Sequence, residues 1–122
     1  MKLKSLSIAA LLGAGLLASA QAQTEIQWWH SMTAFNNEWV NTLAKEFNAS
    51  QKTYKVTPIY KGSYDESMTA AIAAFRAGNA PHILQVFEVG TATMMASKGA
   101  IVPAGKVMAD AGQKFDPKIY VP

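Results

Sequence analysis

Between Thr24 and Phe87 the apolar and polar positions switch repeatedly between a period of two and a period near four. Thr24 to His30, T-E-I-Q-W-W-H, predicts a first strand with Ile26 and Trp28 on one face and Gln27 and Trp29 on the other. Phe35, Trp39, Leu43 and Phe47 then recur every four residues, with Val40 and Ala44 beside them. That stripe predicts a helix whose large apolar residues form core, with Glu38, Asn41, Lys45 and Glu46 in water. Tyr54 to Tyr60 alternates again and predicts a second strand. Pro58 has no N–H for a ladder, which favours an edge position for that strand.

Ser63-Tyr64-Asp65-Glu66 fits the S-x-x-E pattern of a capping box, so a helix begins after Ser63. Its alanines make it a narrow, strongly helical rod. Met68, Ile72 and Phe75 mark the side expected to be buried, and Arg76 and Gly78 end it. Pro81 bars the helix from resuming. His82 to Phe87 is a short, mostly apolar run bounded by Pro and Gly, which predicts a third strand. Thr91 to Lys98 predicts a short Thr-capped helix carrying Met94 and Met95. Lys106 to Gln113 predicts one more, with Val107 and Met108 partly buried.

Strand, helix, strand, helix, strand, helix is the order of an α/β fold with a parallel sheet and right-handed crossovers. Crossovers leave every strand's carboxyl end on the same edge of the sheet. Trp29-His30-Ser31, Gly62-Ser63-Tyr64 and Glu88 are therefore expected to meet on one rim. Ligands of open α/β sheets bind at that edge.

The first residues change the domain reading. Lys2 and Lys4 precede the apolar run Leu6 to Leu17, and the small residues Ala18-Ser19-Ala20-Gln21-Ala22 follow. This is the order of a cleavable signal peptide over residues 1–22, cut after Ala22 or alternatively after Ala20. The run is too short to span a bilayer, which takes about 20 apolar residues. No Cys follows the cut to carry a lipid, and the chain has none anywhere, so a disulfide scaffold and a thiolate metal site are excluded. Removing the two leader lysines from 11 Lys+Arg leaves nine against eight Asp+Glu. The basic residues are scattered, which argues against nucleic acid. Residues 23–122 are expected to form the N-terminal portion of something larger.

Several residues carry candidate chemistry. A carboxylate at position 88, at the mouth of an apolar strand, needs a partner if buried. Glu88 can accept up to four hydrogen bonds, which suits a polyol, and it would repel a phosphate. The residues alone leave open whether it meets a ligand or caps the following turn. Tyr64 offers a hydroxyl beside a helix start, where backbone N–H groups favour an anion, or it packs on the loop. Trp29 can stack on a ligand's carbon skeleton while Trp28 goes to the core, although core packing is the commoner fate of any one tryptophan, and Ser63 lies on the same rim. His30 and Ser31 are neighbours on opposite faces of a strand, a poor base–nucleophile pair. His82 sits at the opposite edge and reads as structural. Two isolated histidines make no metal site, and K-G-S-Y lacks the spacing of a phosphate-binding glycine loop.

Four motifs taken together carry a resemblance: W-H-S-M, Y-K-G-S-Y, A-A-I-A-A-F-R-A-G-N-A-P and Q-V-F-E-V-G-T-A-T-M-M-A-S-K. The chain resembles the extracellular solute-binding family 1, the receptor subunits of ABC importers, and within it the receptors for sn-glycerol 3-phosphate. The resemblance implies a two-lobed class II periplasmic-binding fold that closes by a hinge. It implies a periplasmic, monomeric receptor with no catalysis, no cofactor and no metal. The implied partners are sn-glycerol 3-phosphate, or a glycerophosphodiester, and permease subunits that work with ATP-binding subunits. Another sugar or polyol of the same family is the alternative ligand. The family's ligand-contacting tyrosine and glutamate match Tyr64 and Glu88, while its other ligand residues lie beyond these motifs. Phe87 stands where a tyrosine is common, and residues 97–108 depart from the usual wording.

Overall fold

A computed structural model describes residues 22–119 of the chain. The expected leader lies, but for Ala22, outside the described residues. Three strands form one parallel sheet in the order β2-β1-β3, with β1 at Thr24–His30, β2 at Tyr54–Tyr60 and β3 at Ile83–Leu84. β1 and β2 pair along their whole length, from Thr24 opposite Tyr54 to His30 opposite Tyr60. β2 is an edge strand, as Pro58 requires. Helix α1, Ala34–Ser50, joins β1 to β2, and helix α2, Tyr64–Arg76, joins β2 to β3.

The outer edge of β2 is closed by side chains from the end of α1. The Asn48 amide accepts the Val56 N–H at 2.7 Å and donates to the Val56 carbonyl at 2.8 Å. Gln51 Oε1 accepts the N–H groups of Thr53 and Tyr54, each at 2.8 Å. These bonds occupy groups that an open sheet edge would offer to another chain.

Both crossover helices meet the sheet through small or slim residues, and several of the large residues expected in the core stay exposed. α1 buries Val40 and Ala44. Its large stripe stays in water: Phe35 is 77 % and Trp39 56 % exposed, and Leu43 and Phe47 are also exposed. α2 buries Ser67 and Ala71, leaves Met68 and Ile72 half-buried, and exposes Phe75. The reason is geometric. An amphipathic helix carries an apolar arc of about 100° or more, and a sheet of three strands, one of them two residues long, covers only part of it.

β3 is shorter than the His82–Phe87 strand predicted from the sequence, because its partner limits it. Ile83 and Leu84 pair with Trp28 and Trp29. Before them, His82 Nδ1 accepts the Gln27 N–H at 3.1 Å, so a side chain stands in for a ladder carbonyl. After them the Gln85 N–H reaches the Trp29 carbonyl at 2.9 Å. β1 then ends at His30, and the ladder has nothing further to pair with.

One 3-10 turn, Glu88–Gly90, leads into helix α3, Thr91–Ala96, which buries Met94 and leaves Met95 exposed. The Thr91 hydroxyl donates to the Phe87 carbonyl at 3.3 Å instead of capping the helix. Helix α4, Ala104–Asp110, starts directly after Pro103, two residues earlier than expected. Val107 is exposed there and Met108 half-buried. None of the described helices is long and apolar enough to cross a membrane.

Candidate functional site

The carboxyl ends of β1, β2 and β3 lie on one edge, and a closed circuit of contacts ties the loops that leave them. The Lys61 N–H donates to the His30 carbonyl at 2.9 Å, extending the β1–β2 ladder beyond Tyr60. The Ser31 N–H donates to Gln85 Oε1 at 3.0 Å, tying the β1 loop to the β3 loop. Tyr64 stacks on Phe87, with ring centroids 5.2 Å apart and planes inclined by 21°. The path from Ser31 through Gln85, Phe87, Tyr64, Lys61 and His30 thus returns to Ser31. Parallel pairing produces this ring from three stretches far apart in sequence.

Glu88 follows Phe87 directly and is exposed. It therefore carries no burial penalty that demands a partner, unlike the expectation for a strand-mouth carboxylate. Its backbone carbonyl accepts the Thr91 N–H. The 3-10 turn has no side-chain cap, so the carboxylate is not spent on capping.

Ser63 is the N-cap of α2, and the capping box is complete. Ser63 Oγ accepts the Glu66 N–H at 3.3 Å, and Glu66 accepts the Ser63 N–H at 2.7 Å. The bond from the Ser63 backbone, with the Ser63 side chain adding to it, holds the Glu66 pKa below its usual value. The start of α2 is thus occupied by its own ionised acid, with Asp65 beside it. This removes the reason to expect an anion at the N–H groups next to Tyr64.

Of the two tryptophans, Trp28 is less buried than expected, and Trp29 takes the core place instead of a ligand-stacking one. Trp29 is buried, 8 % exposed, and Trp28 is half-buried. The Trp29 indole N–H donates to Gln27 Oε1 at 3.2 Å, two residues back on the same face. The Lys61 ammonium covers the Trp29 ring at 3.8 Å from its centroid, a cation–π contact. Trp29 is thus a floor beneath Lys61, not an open stacking face.

His30 is 1 % exposed, and desolvation pushes its pKa down. Its Nδ1 accepts the Met32 N–H at 3.3 Å, and its ring meets Trp28 and Tyr60 at 6.2 and 6.1 Å. The Ser31 hydroxyl is buried without a hydrogen-bond partner among the described residues, so no serine–histidine pair forms. No cluster of three His, Asp or Glu side chains suits a metal ion among the described residues.

An open groove of about 660 Å³ lies away from this rim, between α2, β3, α3 and α4. Ile72, Pro81, Ile83, Val86, Met94 and Ile101 help line it, and neither Tyr64 nor Glu88 does. Sequence reasoning passed over two residues of the rim, Gln85 and Lys61. Gln85 had a signal: a polar side chain inside the apolar run H-I-L-Q-V-F must find a partner. Lys61 had none, since a lysine in a turn is ordinarily solvated.

No family model matches the chain. Three relatives are each called "sn-glycerol-3-phosphate-binding periplasmic protein UgpB". The one from Rhizobium meliloti (strain 1021) is 50 % identical over 98 % of this chain and 28 % of its own length. That from Brucella abortus (strain 2308) is 56 % identical over 86 % of this chain and 24 % of its own. That from Escherichia coli O1:K1 / APEC is 55 % identical over 91 % of this chain and 25 % of its own. The chain spans about a quarter of the length of the relatives it matches. Along most of its length, this chain is homologous to a quarter-length stretch of the sn-glycerol-3-phosphate-binding periplasmic proteins.

Proposed function

We propose that this chain is the N-terminal part of an exported solute receptor, and that its β-sheet rim is half of a cleft for sn-glycerol 3-phosphate. The receptor works in the periplasm and hands its ligand to the permease subunits of an ABC importer. It performs no catalysis. Residues 1–22 direct export and are removed.

The observation that carries this reading is the Tyr64–Phe87 stack, because Phe87 is joined to Glu88. It brings the two residues matched to the family's ligand contacts to the same corner of the sheet. Glu88 is exposed there, and its carboxylate makes no hydrogen bond or ion pair to a described residue. Two carboxylate oxygens suit the vicinal hydroxyls of glycerol. The Tyr64 phenol adds a donor beside them. The phosphate points away from Glu88 and from the acidic start of α2, because like charges repel. The facing lobe supplies most of its contacts, and closure of the two lobes removes the ligand from water.

Calorimetric titration of the full-length protein tests this. Glycerol 3-phosphate is expected to bind with one-to-one stoichiometry, and maltose is expected not to bind. Binding of the sugar alone would make the protein a receptor for a different solute.

A further inference from the structure

The rim is rich in negative charge. Glu88 stands on the β3 loop, and Asp65 and Glu66 open α2. Across residues 29–34, 60–66 and 85–91, Lys61 is the single lysine or arginine. It forms no ion pair with a described residue.

Its position is fixed twice. The Lys61 N–H is bonded to the His30 carbonyl at 2.9 Å, which anchors its backbone at the end of the ladder. The ammonium lies 3.8 Å from the centroid of the Trp29 ring. Trp29 belongs to the central strand and pairs with Ile59 on one side and Leu84 on the other. The cation is therefore drawn from the edge strand towards the middle of the sheet, between the strand leading to Tyr64 and the strand leading to Glu88. A cation–π contact at a partly exposed site is weak, so an arriving anion can engage the ammonium without a large loss.

We propose that Lys61 selects the charge of the ligand, its ammonium meeting the phosphate end while Glu88 takes the hydroxyl end. This rests on the receptor reading above and goes further, because it predicts which phosphate is preferred. A phosphate monoester carries nearly two negative charges at neutral pH and a diester carries one. Attraction to a single cation scales with that charge. Lys61 therefore favours glycerol 3-phosphate over a glycerophosphodiester. Trp29 is the positioning residue that aims it.

Calorimetry at about pH 7.5, where the monoester is close to dianionic, tests this in the full-length protein. The probes are glycerol 3-phosphate and glycerophosphoglycerol, and the variants are Lys61→Met and Lys61→Arg. Lys61→Met is expected to weaken the monoester roughly tenfold and the diester only about threefold, in line with their charges. Lys61→Arg keeps both affinities near wild type, and both variants melt near the wild-type temperature. Equal loss for the two ligands, or no loss, would overturn the proposal, as would a lowered melting temperature with unchanged discrimination. If the wild-type protein bound neither probe, the receptor reading itself would fall, and Lys61's role with it.

Discussion

The rings of Tyr64 and Phe87 lie 5.2 Å apart and nearly parallel, which locks the start of α2 to the loop that carries Glu88. Gly90 makes the stack possible. A Cβ at that position would stand 2.8 Å from the Phe87 ring and 3.0 Å from Met68 Sδ. Gly90→Ala should therefore push Phe87 off Tyr64, at a cost of about 1–3 kcal/mol from overpacking. Urea denaturation reads the loss, and ligand titration should show weaker binding in the same variant. A fully stable Gly90→Ala protein would mean that the ring packing is looser than described.

The Gln85–Ser31 bond joins the first and third loops through one side-chain oxygen. Gln85→Leu keeps the bulk and removes the acceptor, leaving the Ser31 N–H without its partner. The expected destabilisation is about 1–3 kcal/mol. Amide exchange should localise it, with Ser31 exchanging faster while the interior of β1 stays protected. Unchanged protection at Ser31 would argue that the bond does not hold the loop.

The turn into α2 depends on Gly62, whose φ is +81°. An added Cβ there would collide with the Glu66 carboxylate of the capping box. Gly62→Ala meets both problems, and the backbone alone costs about 1–2 kcal/mol. Helicity at the α2 N-terminus, followed by amide protection of Ser67, should fall together with stability.

His30 gives a pH dependence of known sign. Burial lowers its folded pKa below the ordinary 6.5, so the unfolded chain takes up the proton first. Its contribution to stability is complete above the unfolded value and is lost as pH falls towards the folded one. Urea midpoints measured from about pH 8 down to about pH 5 should decline through the lower part of that range. His30→Asn keeps an acceptor for the Met32 N–H and should flatten the decline, whereas His82→Asn should leave the His30 part of it in place.

The limits of β1 and β2 and the capping box at Ser63 were legible because each is written locally, in alternation and in a four-residue pattern. The convergence of the rim loops was legible because chain order dictates parallel pairing. The length of β3 was not, since a ladder ends where its partner ends, and that partner lies some 55 residues away. The fate of Phe35, Trp39, Leu43 and Phe47 was hidden for a related reason. An apolar stripe states that a face can be buried, but the width of the sheet beneath decides how much of it is. The half-burial of Trp28 was hidden because alternation sets Trp28 and Trp29 on opposite faces of β1 without saying which face Lys61 covers.

The role assigned to Glu88 is tested most directly by titrating glycerol 3-phosphate into the full-length Glu88→Gln protein. Loss of the carboxylate should weaken binding by roughly 1–3 kcal/mol, the cost of one good polar partner removed from a bound ligand. The variant should fold like wild type, because Glu88 is exposed and its carboxylate bonds to no described residue. Wild-type affinity in Glu88→Gln would contradict the account at its centre.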